Sequence, residues 1–153
     1  MVESDRAVVE RQLGRPPRAF RRVAVRCPFG RPAVTEQAAY DDAGEPFPTT
    51  FWLTCPHLVA AVSRLEAAGG VERWSRAAAT DSGLGASLDR ANEEQRRLRP
   101  GLDLGVGGAR LGAGSLKCLH AHVAFALARP GYELGERIVA ELEPRWPSVC
   151  CTA

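Results

Sequence analysis

The chain has 153 residues, 45% of them apolar and 25% charged, with a formal net charge of +2. That length suits a single domain, residues 1–153, around one core, and so small a net charge gives no ground for a nucleic-acid partner. No run approaches the roughly 18–20 apolar residues that span a bilayer, and the acidic opening Met1-Val-Glu-Ser-Asp-Arg has no apolar signal core, so a cytoplasmic protein is expected.

Residues 4–13 read as a helix, with Ser4 as N-cap, Val8, Val9 and Leu13 near one face, and Gly14 with Pro16-Pro17 as its stop. Three strands follow. Arg21–Arg26 carries the alternation Val23/Val25, Pro32–Tyr40 contains Ala33-Val34-Thr35, and Thr49–Thr54 is rich in β-formers. Turn residues at Asp41-Asp42-Ala-Gly44 separate the last two. An antiparallel three-stranded meander over residues 21–54 is the simplest topology.

Helices are expected from there on. Pro56 suits a first helical position, and Leu58, Val59, Val62 and Leu65 form an apolar stripe ending at Gly69-Gly70. Residues 71–79 and 86–99 follow, the second charged enough to be read as exposed. Pro100–Gly114 is expected to be a flexible glycine-rich loop, since its glycines fit neither a dinucleotide nor a P-loop pattern. Ser115 is read as the cap of a helix over Leu116–Ala128, and Tyr132–Leu142 as the last helix before a short tail, 147–153. The class is α+β, a small sheet packed against several helices.

Five cysteines, Cys27, Cys55, Cys118, Cys150 and Cys151, are the residues richest in chemistry. An odd number without an export signal argues against a disulfide framework. In a meander, Cys27 at the start of the turn into strand two and Cys55 at the end of strand three share one edge of the sheet. Cys55 and Cys118 also fall at expected helix starts, where free amides favour thiolate, and Lys117, the chain's one lysine, adds charge beside Cys118. His122 lies four positions past Cys118, on the same helical face; His120 points away from it.

Cys27, Cys55 and Cys118, with His120 or His122, are therefore candidate ligands for zinc or an iron–sulfur cluster; His57 and Cys150 are further candidates to complete the set. No Cys-x-x-Cys pair supports the reading, and buried cysteine as a small hydrophobe is its counterweight. The adjacent Cys150-Cys151 stands three residues from the terminus, where disorder is the default. Two alternatives stand beside the metal: a cysteine-dependent enzyme with a low-pKa thiolate and a histidine base, and an interaction protein docking through residues 1–31, where eight arginines face only Glu3, Asp5 and Glu10.

Gln12-Leu-Gly-Arg-Pro-Pro-Arg18, Val25-Arg-Cys27-Pro-x-Gly30-x-Pro32, Phe51-Trp-Leu-Thr-Cys55-Pro56, Leu65-Glu66-Ala, Lys117-Cys-Leu-His120 and Trp146-Pro147 resemble the bacterial family named domain of unknown function 501. The resemblance runs along nearly the whole chain. It implies an actinobacterial setting, which agrees with the arginine bias, and no assigned activity. Genes of such proteins often neighbour those of a septum-formation initiator and an exopolyphosphatase, which implies a link to division or the envelope. The motif also favours His120 over His122 and leaves the histidine ligand open.

Overall fold

The computed structural model describes residues 2–112 and 114–152. Helix α1 (Asp5–Leu13) begins at Ser4, whose Oγ accepts the Ala7 N–H, and ends at Gly14, whose positive φ needs no Cβ relief. Strands β1 (Phe20–Arg26), β2 (Pro32–Gln37) and β3 (Phe51–Leu53) form an antiparallel sheet in the order β1-β2-β3. Six helices complete the expected α+β architecture: besides α1, these are α2 (Pro56–Ala67), α3 (Gly70–Thr80), α4 (Ser82–Leu98), α5 (His120–Ala128) and α6 (Glu133–Ala140). Among the described residues no helix is long and apolar enough to cross a membrane.

The central strand β2 is buried along its whole length. Helix α5 is its counterpart among the helices, with every residue from Ala121 through Ala126 enclosed and an apolar surface on nearly every side. Phe125 meets Phe51 of β3 edge-on at 5.5 Å and Tyr132 at 5.8 Å between ring centroids, the offset that aromatic quadrupoles favour. The core thus lies between β3, α5 and α6.

Several elements depart from the sequence reading. β2 ends at Gln37 rather than Tyr40. Helix α5 starts at His120, not Leu116, because Lys117 adopts φ 72°, outside the helical region, and the Ser115 hydroxyl accepts only the Lys117 N–H in a local turn. Cys118 therefore precedes the helix instead of occupying its first turn. Helix α4, read as exposed, buries Leu84, Ser87, Ala91 and Gln95 along one face. That face is polar but satisfied: Ser87 Oγ donates to Leu84 O and accepts from Leu134 N–H, and Gln95 Nε2 donates to Pro48 O. Within 100–114, a short 3-10 turn (Val106–Gly108) is anchored by Val106, whose side chain is buried and whose N–H donates to Asn92 Oδ1.

Candidate functional site

The strand register places two thiols side by side. Arg26 pairs with Pro32, and the Cys27 N–H reaches across the turn to Arg31 O at 2.8 Å. On the other side of β2, Val34 pairs with Leu53, and the Cys55 N–H donates to Ala33 O at 3.3 Å. Cys27 and Cys55 consequently line one crevice, as the meander required. The tail returns to the same place: Cys150 and Cys151 line it too, and Cys151 Sγ lies 3.7 Å from Cys55 Sγ. Gln12 of α1 secures the tail by donating from Nε2 to both Pro32 O and Thr152 Oγ1, and Thr152 is buried.

Cys55 is the N-cap residue of α2, followed by Pro56 at the first helical position. Burial pushes its thiol up to about 11, while the α2 amides of Leu58 and His57 pull the other way and neighbouring Cys151 adds to the rise. Left to itself, Cys55 is a protonated thiol at neutral pH.

Cys118 and His120 stand elsewhere. They line a pocket of about 540 Å³ whose walls come mainly from β3, the start of α2 and the start of α5, with Phe51, Leu53 and Val59 supplying apolar surface. Trp52, also in the wall, stacks on Phe47 at 5.5 Å and lies under the Arg15 guanidinium at 5.9 Å. Two residues of this wall, Gln12 and Thr54, carry buried side-chain oxygens without a hydrogen-bond partner.

His120 is held from both ring nitrogens. Its Nδ1 lies 3.2 Å from Glu66 Oε2 and its Nε2 lies 3.3 Å from Ser63 Oγ. A carboxylate only accepts, so the neutral ring carries its proton on Nδ1 and leaves Nε2 basic, accepting from the Ser63 hydroxyl. The same Glu66 oxygen takes the Leu119 N–H at 2.6 Å, at the entrance of α5. Ser63 and Glu66 are three residues apart and share a face of α2. That spacing was the available signal for a polar pair, but nothing in the sequence tied it to a histidine 54 positions later.

His122 is enclosed. Its Nε2 faces Leu116 O at 3.2 Å, which assigns the proton there, and Nδ1 accepts from the Tyr132 hydroxyl at 2.7 Å. Neither nitrogen is open to a ligand. His57 Nε2 donates to Pro144 O at 2.7 Å, away from Cys55's thiol partners. Cys27 and Cys55 are thus brought together with the two tail cysteines, Cys118 with His120, and His122 with neither group. Among the described residues no three Cys, His, Asp or Glu side chains are already arranged to hold a metal ion.

Six arginines of the arginine-rich stretch are ion-paired, to four carboxylates. Glu3 pairs with Arg11 and Arg31, Asp5 with Arg26, Glu36 with Arg21 and Arg22, and Asp41 with Arg18.

Residues 23–102 match the model of a family described as a protein of unknown function, DUF501. The chain belongs to that family. The DUF501 match runs from β1 to just past α4 and takes in Cys27, Cys55, Ser63 and Glu66; it stops short of Cys118, His120 and the tail, and so is shorter than the whole-chain resemblance. No curated protein and no solved structure matches the chain.

Proposed function

We propose that this DUF501 protein works on a small, mainly apolar molecule held in the 540 Å³ pocket, with Cys118 as nucleophile and His120 as its base. One observation carries the reading: Cys118 and His120 share a pocket wall, and Glu66 holds the His120 ring by Nδ1, so that Nε2 would take the Cys118 proton once it turns from the Ser63 hydroxyl it now faces at 3.3 Å. Support comes from the chemistry of the lining. A largely apolar cavity with a few convergent polar groups is the usual form of a small-molecule site, and the orphan oxygens of Gln12 and Thr54 are polar atoms still lacking a partner. The zinc or iron–sulfur reading has less support at this place, where one thiol and one histidine are the soft donors.

Labelling with chloroacetanilide tests the reading. Cys118 Sγ displaces chloride from an apolar aromatic reagent, and peptide mapping separates Cys118 from the other cysteines. Saturable labelling of Cys118, faster than with the small polar chloroacetamide and slowed about tenfold or more in His120→Asn, is expected. Labelling that stays linear in reagent concentration, at the same rate in His120→Asn, would overturn it.

A further inference from the structure

Four of the five cysteines, drawn from the β1–β2 turn, the start of α2 and the tail, line one crevice that leaves no room for a water molecule. We propose that Cys27, Cys55, Cys150 and Cys151 bind one divalent zinc ion as a four-thiolate site, separate from the Cys118 pocket.

The donor chemistry fits. Thiolate sulfur is the ligand set that structural zinc takes in tetrahedral geometry, and a Zn–S bond of about 2.3 Å sets the sulfurs roughly 3.8 Å apart along each edge. Cys55 Sγ and Cys151 Sγ, at 3.7 Å, already stand at that spacing. Arg31 lines the same crevice and offsets part of the negative charge that four thiolates bring.

Completing the tetrahedron needs movement in the tail. Cys150 Sγ is engaged with Thr152, donating to its carbonyl and accepting its N–H at 3.4 Å, and must turn inward. As each Sγ–zinc bond forms, the S–H bond breaks and its proton passes to solvent; no electron is transferred, so no oxidant is required. Zinc would then tie the last residues to the sheet and to α2, a staple between chain segments 96 residues apart.

Cobalt(II) is the probe, added to the full chain after reduction and chelation. The expected result is one equivalent bound with the intense visible absorption of tetrahedral thiolate cobalt, displaced by zinc. Cys151→Ser, at an exposed residue, and Cys27→Ser should each weaken binding at least about tenfold, while Cys118→Ser leaves it unchanged. Circular dichroism confirms that each variant is folded. Absence of stoichiometric binding, or binding lost in Cys118→Ser and kept in Cys151→Ser, would overturn the proposal.

Discussion

Glu66 and His120 are joined by a carboxylate that does two things: its Oε2 orients the imidazole at 3.2 Å and accepts the Leu119 amide at 2.6 Å where α5 begins. The orientation of the His120 ring and the entrance of the core helix therefore depend on one oxygen atom. Glu66→Ala leaves the Leu119 N–H without its acceptor and should destabilise the fold by about 1–3 kcal/mol. Glu66→Gln keeps an acceptor for that amide and should lose less. Urea unfolding of the two variants checks the ordering; equal stabilities would show that the carboxylate contributes nothing to α5.

His122 makes stability depend on pH in a defined window. Burial holds its folded pKa down at about 4, against 6.5 for the free group. Below pH 6.5 the unfolded chain takes up a proton that the folded chain refuses. The contribution is whole above 6.5, falls as the pH drops, and is lost by about pH 4, an expected decrease of roughly 3 kcal/mol. Asp5 and Asp41, held below their ordinary values by hydrogen bonds from Arg26 and Arg18, act at lower pH. Denaturation at pH 7 and pH 4.5 should thus show a drop that His122→Gln largely removes. An unchanged drop in that variant would assign the acid sensitivity elsewhere.

The meander and its cysteine pair were legible because local signals agreed: alternation at Val23 and Val25, turn chemistry at Asp41–Gly44, and Pro56 after Cys55 all point to the structure observed. The start of α5 was not. Ser115 looks like an N-cap, yet the left-handed Lys117 interrupts the chain before the helix forms, a choice set by tertiary packing of Leu116 and Leu119 in the core. The buried side of α4 was hidden for a different reason, since Ser87 and Gln95 are polar and only their partners make burial tolerable. For the site, sequence supplied Cys118 and His120 but not Glu66. It offered Cys150 only as one candidate among several, because the tail's anchor is Gln12, far off in sequence.

Arg99 is a further polar group that patterning would place outside. It is 6% exposed and donates to three carbonyls, Gln37 O at 2.6 Å, Phe47 O at 2.9 Å and Leu98 O at 3.1 Å. These bonds tie the end of β2 and the following loop to the end of α4. Arg99→Met keeps the volume and leaves the carbonyls to find other donors. A loss of about 3 kcal/mol is expected, and thermal unfolding would measure it. A variant as stable as the parent would mean that water replaces the guanidinium without cost.

Gly135 sets how closely α6 approaches α5. A Cβ there would lie 2.7 Å from Ala126 Cβ, 2.7 Å from Tyr132 Cδ2 and 2.8 Å from His122 O. Alanine is the better helix former by about 1 kcal/mol, so propensity and packing oppose each other at this position. Packing should win, because the atoms in the way include a backbone oxygen that cannot swing aside, and overpacking a tight contact costs about 1–3 kcal/mol. Gly135→Ala should therefore lower the melting temperature and disturb the Tyr132–His122 hydrogen bond, shifting the acid limb described above. Gly83 in α4 is the control: its nearest neighbour is Asp81 Oδ1 at 3.4 Å, an ordinary contact. Gly83→Ala should be neutral or slightly stabilising. If both alanines stabilise the protein, the α5–α6 contact is looser than the structure has it.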